Sequence, residues 1–551
     1  MNGKIIIYQT FPRLSGNRRE NPVPGSSFTI NGVGKFDFFN DDELLRIKKL
    51  GCTHVWFTGI IEHATQTPCL DKRCLTDPPE IVKGIAGSPY AVKDYYDVAH
   101  YLANNHDNRI EEFEELVSRC HFADLKVIID FVPNHISRNY KSDKNPGLYK
   151  DFGVDDDESL SFSPQNDHYY IPGASFISPD SSVIQTFSEV PAKATGNNCF
   201  SERPSKNDWY ETVKLNYGID YQSGGNSYFK PYPPVWEKMK HILQYWAEKG
   251  VDGFRCDMAE MVPAEFWNYA INSVKAQYPN LIFIAEIYDP AQYSLYLASG
   301  FDLLYDKVGL YDTIIDIIKG NRNPSDISSC WQSLGEIQHK MLNFLENHDE
   351  QRVASDYVAG FPERALPAVA VSLLLNSAPF MIYFGQELGE RGMDSEGFST
   401  LDGRTSIFDF WSLQVLNDYY KGKYNSYLYN EYKFLLNIAI NELALRDGDT
   451  FDLQYANESS NHYNSNRLFS FARRLNTELI LVIVNFSDYQ ANGHLNIPEH
   501  LFNHWNIANN LSRKFFNLKS GSTGYIDLSS NKTIEFSVEG YSYSIIKLLL
   551  E

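Results

Sequence analysis

The sequence predicts an α/β chain: a (β/α)8 barrel with a domain inserted after strand 3 and a C-terminal antiparallel β-sandwich. Three observations point there. Short, nearly all-apolar runs alternate with amphipathic helical stretches over the first four-fifths of the 551 residues. Such runs belong to a parallel sheet covered on both faces, and seven or eight repeats favour a closed barrel over an open sheet. One connection, from Val132 to Pro234, is about a hundred residues long and rich in Asp, Ser, Asn, Gly and Tyr, too long for a structureless loop. The tail changes character, with β-rich segments separated by Asn/Ser/Gly turns.

The elements follow in order. IIIYQ (5–9) reads as a strand, ELLRIKKLG (43–51) as a helix end with a glycine stop, and HVWFTGI (54–60) as a strand. RIEEFEELVSRCHFA (109–123) is a helix and LKVIIDFV (125–132) a strand. VWEKMKHILQYWAEKG (235–250) precedes VDGFRCD (251–257), and AEFWNYAINSVKAQY (264–278) precedes LIFIAEI (281–287). MLNFLEN (341–347), PAVAVSLLLNS (367–377) and PFMIYFG (379–385) complete the alternation. The barrel is therefore expected over 1–135 and 234–448, the inserted domain over 136–233, and the sandwich over 449–551. The acidic run from Asp155 to Glu158 reads as a solvated loop.

Composition narrows the function. Lys and Arg number 49 against 70 Asp and Glu, a net charge of −21. That surface repels phosphate backbones and anionic lipid, so neither nucleic acid nor membrane is an expected partner. No stretch approaches the ~18 apolar residues of a membrane span. The N-terminus, MNGKIIIYQTF, lacks the small-residue cleavage site of a signal peptide. The seven cysteines are scattered; Cys69 and Cys74 could pair or hold metal, but no second Cys/His pair lies nearby at zinc spacing. A reducing, cytoplasmic location is the expectation, with a periplasmic or secreted one as the alternative.

In such a barrel, chemistry gathers at the C-terminal ends of the strands. Strand 3 ends in Asp130-Phe-Val-Pro-Asn134-His135 and strand 4 in Gly253-Phe-Arg255-Cys-Asp257. Strand 5 ends in Ala285-Glu286 and strand 7 in Glu346-Asn347-His348-Asp349, with Arg352 just after. Carboxylates converging on one rim suit glycoside hydrolysis, which needs one acid to protonate the leaving oxygen and one carboxylate to attack the sugar or activate water. Asp257 lies two residues from Arg255, on the same strand face, so the guanidinium is expected to hold it ionised as a nucleophile. Glu286 follows an apolar run, which is expected to desolvate it into an acid/base. Asp349 is the third acid.

These segments resemble the four signature regions of the α-amylase superfamily, glycoside hydrolase family 13, in order along the whole chain. Asp130, Asn134 and His135 match the first region, Arg255 and Asp257 the second, Glu286 the third, and His348 with Asp349 the fourth. Gly87-Ser-Pro-Tyr90 followed by Asp94 resembles the segment whose tyrosine stacks on the sugar at the cleavage point, and Phe384-Gly385-Gln386-Glu387 the usual end of strand 8. The stretch Lys214-Leu215-Asn216 resembles the short motif late in the inserted domain, in the form that leans towards neopullulanases and maltogenic amylases. The resemblance implies a retaining attack on α-1,4-glucosidic bonds of starch-type glucans or maltooligosaccharides through a covalent intermediate. It makes Asp257 the nucleophile, Glu286 the acid/base and Asp349 the transition-state stabiliser. Tyr90, His135, Arg255, His348 and Arg352 are then expected to bind substrate, with Asp130 in support. The alternatives are an α-glucosidase or transglycosylase of the same superfamily and, more remotely, a non-catalytic amylase-like binding protein. Members that bind calcium between barrel and insertion often carry Lys-His three and four residues after the nucleophile; here Glu260 and Met261 stand there. Asn134 and the Met261 carbonyl are the only calcium ligands the pattern places, so no cofactor is expected to be required.

Overall fold

The computed structural model describes residues 3–68, 76–398, 400–458 and 462–550. Cys69 and Cys74 lie outside the described residues.

Eight parallel strands close into a barrel. They are β1 (Ile6–Thr10), β2 (His54–Phe57), β3 (Lys126–Phe131), β4 (Gly253–Cys256), β5 (Ile282–Ala285), β6 (Leu303–Tyr305), β7 (Met341–Phe344) and β8 (Phe380–Tyr383). Each pairs with the next, and β8 returns to β1. Seven of these strands coincide with the apolar runs read above. β6 does not: Leu303-Leu304-Tyr305 is three residues, too short to stand out as a run, and it is defined by pairing with Ile284, Ala285, Met341 and Leu342.

The helices present one apolar face to the barrel. Helix Arg109–Phe122 buries Phe113, Leu116 and Val117, and helix Pro234–Glu248 buries Trp236, Ile242 and Trp246. Helix Asp41–Leu50 starts where the Asn40 side chain accepts from the Glu43 amide. It stops at Gly51, whose φ of 114° suits a residue without Cβ.

Between β3 and helix Pro234–Glu248 the chain forms small antiparallel pairs rather than a continuous sheet. His135–Ser137 pairs with Thr212–Lys214, Tyr170–Ile171 with Ala192–Lys193, and Ile219–Asp220 with Asn226–Ser227. In the acidic run, Asp155 is exposed beside Lys150, while Asp156 accepts from the Asp167 and His168 amides. The run thus closes a local loop.

From Asp449 onward a six-stranded antiparallel sheet, in the order 449–452, 468–475, 478–485, 542–549, 511–517 and 523–528, accompanies a two-stranded one, 491–496 with 533–538. A separate core that includes Leu481, Ile483, Leu495, Ile534 and Phe536 fills this region. Trp505 belongs to that core, against Phe451, and is not a surface platform.

Candidate functional site

The strand ends position the acids. The Asp257 amide donates to Phe131 O at 2.9 Å and the Glu286 amide to Cys256 O at 3.2 Å, so the ladder runs one residue past β4 and β5. The chain then turns sharply at Met258, a non-glycine residue at φ 44°. Strain of that kind persists where the surroundings over-determine it. Here the Met258 amide donates to Glu286 Oε2 at 2.7 Å, so the turn after one acid grips the other.

Arg255 ties the acids together. Its Nη1 lies 2.8 Å from Asp257 Oδ1 and its Nη2 lies 2.5 Å from Glu286 Oε1, while Asp130 Oδ1 stands 3.5 Å away. The guanidinium is fully buried and also donates to the Tyr305 hydroxyl on β6 at 3.1 Å. This corrects the environment expected for Glu286. Its carboxylate is not in an apolar slot: it pairs with the Arg255 charge and accepts from the Met258 amide and the Tyr288 hydroxyl, each at 2.7 Å. The expectation for Asp257 also changes. Burial pushes its pKa well above the usual carboxylate value, and the charges of Glu286, Asp349 and Asp130 add to the push. The single Arg255 charge, shared among three acids, does not offset that. Asp349 goes the other way. Burial opposes its ionisation, but the charge and hydrogen bond of His348, with Arg255 and Arg404, hold it at about 2. Clustered acids titrate as a unit, and like-charge repulsion keeps a proton among them.

Tyr90 and His348 form the adjoining wall. Their rings stack at 5.1 Å and 22°, and the Tyr90 hydroxyl reaches both His348 Nε2 at 2.5 Å and Asp130 Oδ1 at 3.2 Å. His348 Nδ1 faces Gln9 Nε2 at 2.9 Å, and Asp349 Oδ2 lies 3.0 Å from His348 Nε2. Asp130 accepts from Trp56 Nε1 through its other oxygen, so it braces Tyr90 and Arg255 together. His135 tilts against Trp209 at 5.1 Å. Burial, then the charges of Lys214 and Lys83, lower its pKa to about 3, so it presents a neutral imidazole.

These groups surround one cavity of ≈ 220 Å³, lined by Tyr90, His135, Asp257, Glu286 and Asp349 among the expected residues. Arg255 and His348 lie behind that lining and touch it through Asp257, Glu286, Tyr90 and Asp349. Arg352 is a further correction. Its guanidinium is wholly buried against Glu346 Oε2, Thr405 Oγ1 and Phe384 O, and it does not line the cavity. Glu346 supplies a buried counter-charge six residues away, which draws the side chain into the scaffold.

Among the cavity residues that sequence reasoning missed, five stand out. Tyr288 bonds to Glu286; Lys83 pairs with Glu211 at 2.9 Å; Trp209 and Phe408 add aromatic walls. All lie on loops, and only Tyr288, two residues after an acid, carried a positional signal. A second acidic group, Glu62, Asp94 and Asp97, lies outside the cavity lining. There Asp97 is held by Arg109, and Asp94 accepts from Ser142 and the amides of Asp143 and Lys144, fixing the insertion to the barrel.

A closed parallel barrel with three acids around an arginine at the C-terminal rim defines a glycosidase-type carboxylate site. The alpha-amylase catalytic-domain family matches residues 41–304. The chain is 25% identical over 429 residues to alpha-amylase 3 of Dictyoglomus thermophilum, covering 72% of this chain and 74% of that protein. It is 22% identical over 503 residues to a cyclomaltodextrinase of Thermoanaerobacter pseudethanolicus, covering 88% of this chain and 70% of the relative. The fold is shared with a maltogenic alpha-amylase from Thermotoga neapolitana at a TM-score of 0.63 and 21% identity, covering 99% of both chains. Residues 41–304 thus carry the catalytic domain of the α-amylase superfamily, glycoside hydrolase family 13.

Proposed function

We propose that the protein hydrolyses α-1,4-glucosidic bonds of glucans or maltooligosaccharides with retention of configuration. The observation that carries the reading is the shared guanidinium: one Arg255 holds both Asp257 and Glu286 by its two terminal nitrogens. Retaining glycosidases hold such a pair ~5–5.5 Å apart and inverting ones ~6.5–9.5 Å apart; retention is proposed here from the family's mechanism, and the anomer that is produced first tests it. Asp257 attacks the anomeric carbon as Glu286 gives its proton to the leaving oxygen. Glu286, then ionised beside Arg255 and Tyr288, takes a proton from the water that releases the sugar. Asp349 faces the positive charge that develops on the ring. Tyr90 offers a stacking face, and His135 a neutral partner for a hydroxyl.

The relatives' names span an alpha-amylase and a cyclomaltodextrinase. A product profile on maltoheptaose, pullulan and starch separates these activities from an α-glucosidase and a transglycosylase. The cytoplasmic assignment is part of this proposal. It is supported by Cys52, Cys120, Cys199, Cys256 and Cys330, all free thiols. No helix among the described residues is long and apolar enough to cross a membrane.

Early-time proton NMR of maltooligosaccharide hydrolysis should show the α-anomer first. An initial β-anomer would overturn the double displacement. Tyr90→Phe keeps the ring and should retain most activity, with Tm within a few degrees of the parent. Tyr90→Ala removes the stacking face and should lower kcat/KM by about 10²-fold. Equal kcat/KM for Tyr90→Ala and the parent would mean that the ring only fills space.

A further inference from the structure

The family pattern implies a calcium ion where barrel and insertion meet, with Asn134 among its ligands. The donors of this chain do not fit one. Asn134 Oδ1, the oxygen that would face the ion, accepts from Lys214 Nζ at 2.6 Å. Asn134 Nδ2 is spent on Gly196 O at 2.8 Å. A hard divalent ion needs six to eight oxygens, commonly with several carboxylates. The acidic run of the insertion is turned to other work, on Lys150 and on the amides of Asp167 and His168. Among the described residues, the one group of three acids, histidines or cysteines close enough to hold a metal is Glu62, Asp94 and Asp97.

We propose that the Lys214 ammonium is the resident cation of this junction and that it takes the place of a divalent ion. Lys214 is 2% exposed and, among the described residues, has no carboxylate partner. Burial without a counter-ion pulls its pKa down to about 7, so the side chain carries its charge most fully below neutral pH and relies on the contacts that favour the cation. Those contacts are the Asn134 carbonyl oxygen and the face of Tyr221, 5.2 Å away. Both are the groups that suit a cation: an amide oxygen and an aromatic quadrupole. Lys214 also lies directly opposite His135 in the strand pair His135–Ser137 with Thr212–Lys214. The ammonium therefore fastens the strand Thr212–Lys214, which directly follows the loop of Trp209 and Glu211, to the strand that begins with His135. Packing leaves little slack: a Cβ on Gly196 would meet Thr212 Oγ1 at 2.7 Å and His135 Cβ at 2.9 Å.

This inference does not depend on the proposed reaction, and its test reads stability and metal binding directly. Thermal unfolding of the full chain is followed in EDTA and in millimolar calcium chloride, for the parent, Lys214→Met and Lys214→Asp. Calorimetric titration with calcium accompanies it. The parent should show the same Tm within a degree in both media and no calcium heat. Lys214→Met should lose several degrees, with no recovery in calcium, and its insertion should be cut faster by a protease. Lys214→Asp removes the ammonium and adds a carboxylate beside Asn134, so its Tm should rise in calcium relative to EDTA. A parent Tm that falls by many degrees in EDTA and returns with calcium would overturn the proposal. So would a Lys214→Met protein as stable and as protease-resistant as the parent. If Lys214→Asp does not fold, the parent and Lys214→Met arms still decide.

Discussion

Asp257→Asn should lower kcat by about 10⁴-fold or more while the fold stays intact, because the covalent step loses its only nucleophile. The amide keeps the shape, so Arg255 retains Glu286 and Asp130 at 2.5 Å and 3.5 Å. Stability should move the other way from activity. Burial and neighbouring carboxylates raise the folded-state pKa of Asp257 well above its ordinary value. For an acid raised on folding, stability is lost as pH rises through the unfolded value, and the loss is complete above the folded one. At pH 7 the parent bears that cost and Asn does not, so the Tm of Asp257→Asn should equal or exceed the parent's. Calorimetry beside kcat tests both halves. A variant that is inactive because it melts early would discredit the assignment. The same upward push places the acid limb of the parent's kcat/KM profile above the ~3.9 of an ordinary aspartate.

Glu286→Gln should divide substrates by their leaving groups. Glucosyl fluoride needs little protonation and should keep reacting, whereas maltotriose hydrolysis should fall by about 10²–10⁴-fold, the usual contribution of a general acid. The single oxygen of the glutamine keeps the Met258 amide as its donor, while its amide nitrogen takes the place of the other carboxylate oxygen and donates to the Tyr288 hydroxyl, so geometry is largely kept. The charge beside Arg255 is lost, which leaves the guanidinium to Asp257 and Asp130. If fluoride and maltotriose suffered equally, Glu286 would not be the acid/base and its role would reduce to orienting Arg255.

Much of this site was legible as strand ends. Asp130, Asp257, Glu286 and Asp349 each follow an apolar run, and a barrel aims such positions at one rim. Arg255 and Asp257 could be joined from the sequence because residues i and i+2 share a strand face, and they lie 2.8 Å apart. Apolar periodicity also exposed seven barrel strands, since a strand buried on both faces has no other way to read. β6 escaped because three residues are too few for a pattern and its pairing partners lie on β5 and β7.

What tertiary structure alone decided is electrostatic and long-range. An apolar run before Glu286 promised desolvation, but the strand beside it delivered a guanidinium, and only the β4–β5 register of Arg255 against Ile284 says so. Arg352 follows a loaded strand end yet turns inward, because Glu346 and the Phe384 carbonyl compete for it from behind the rim. Lys214 and Asn134 stand 80 residues apart and meet through one strand pair. Sequence fixes which charges exist and which strand ends carry them. Their energies depend on distance and on how much water is excluded between them, and both are set only when the chain has closed.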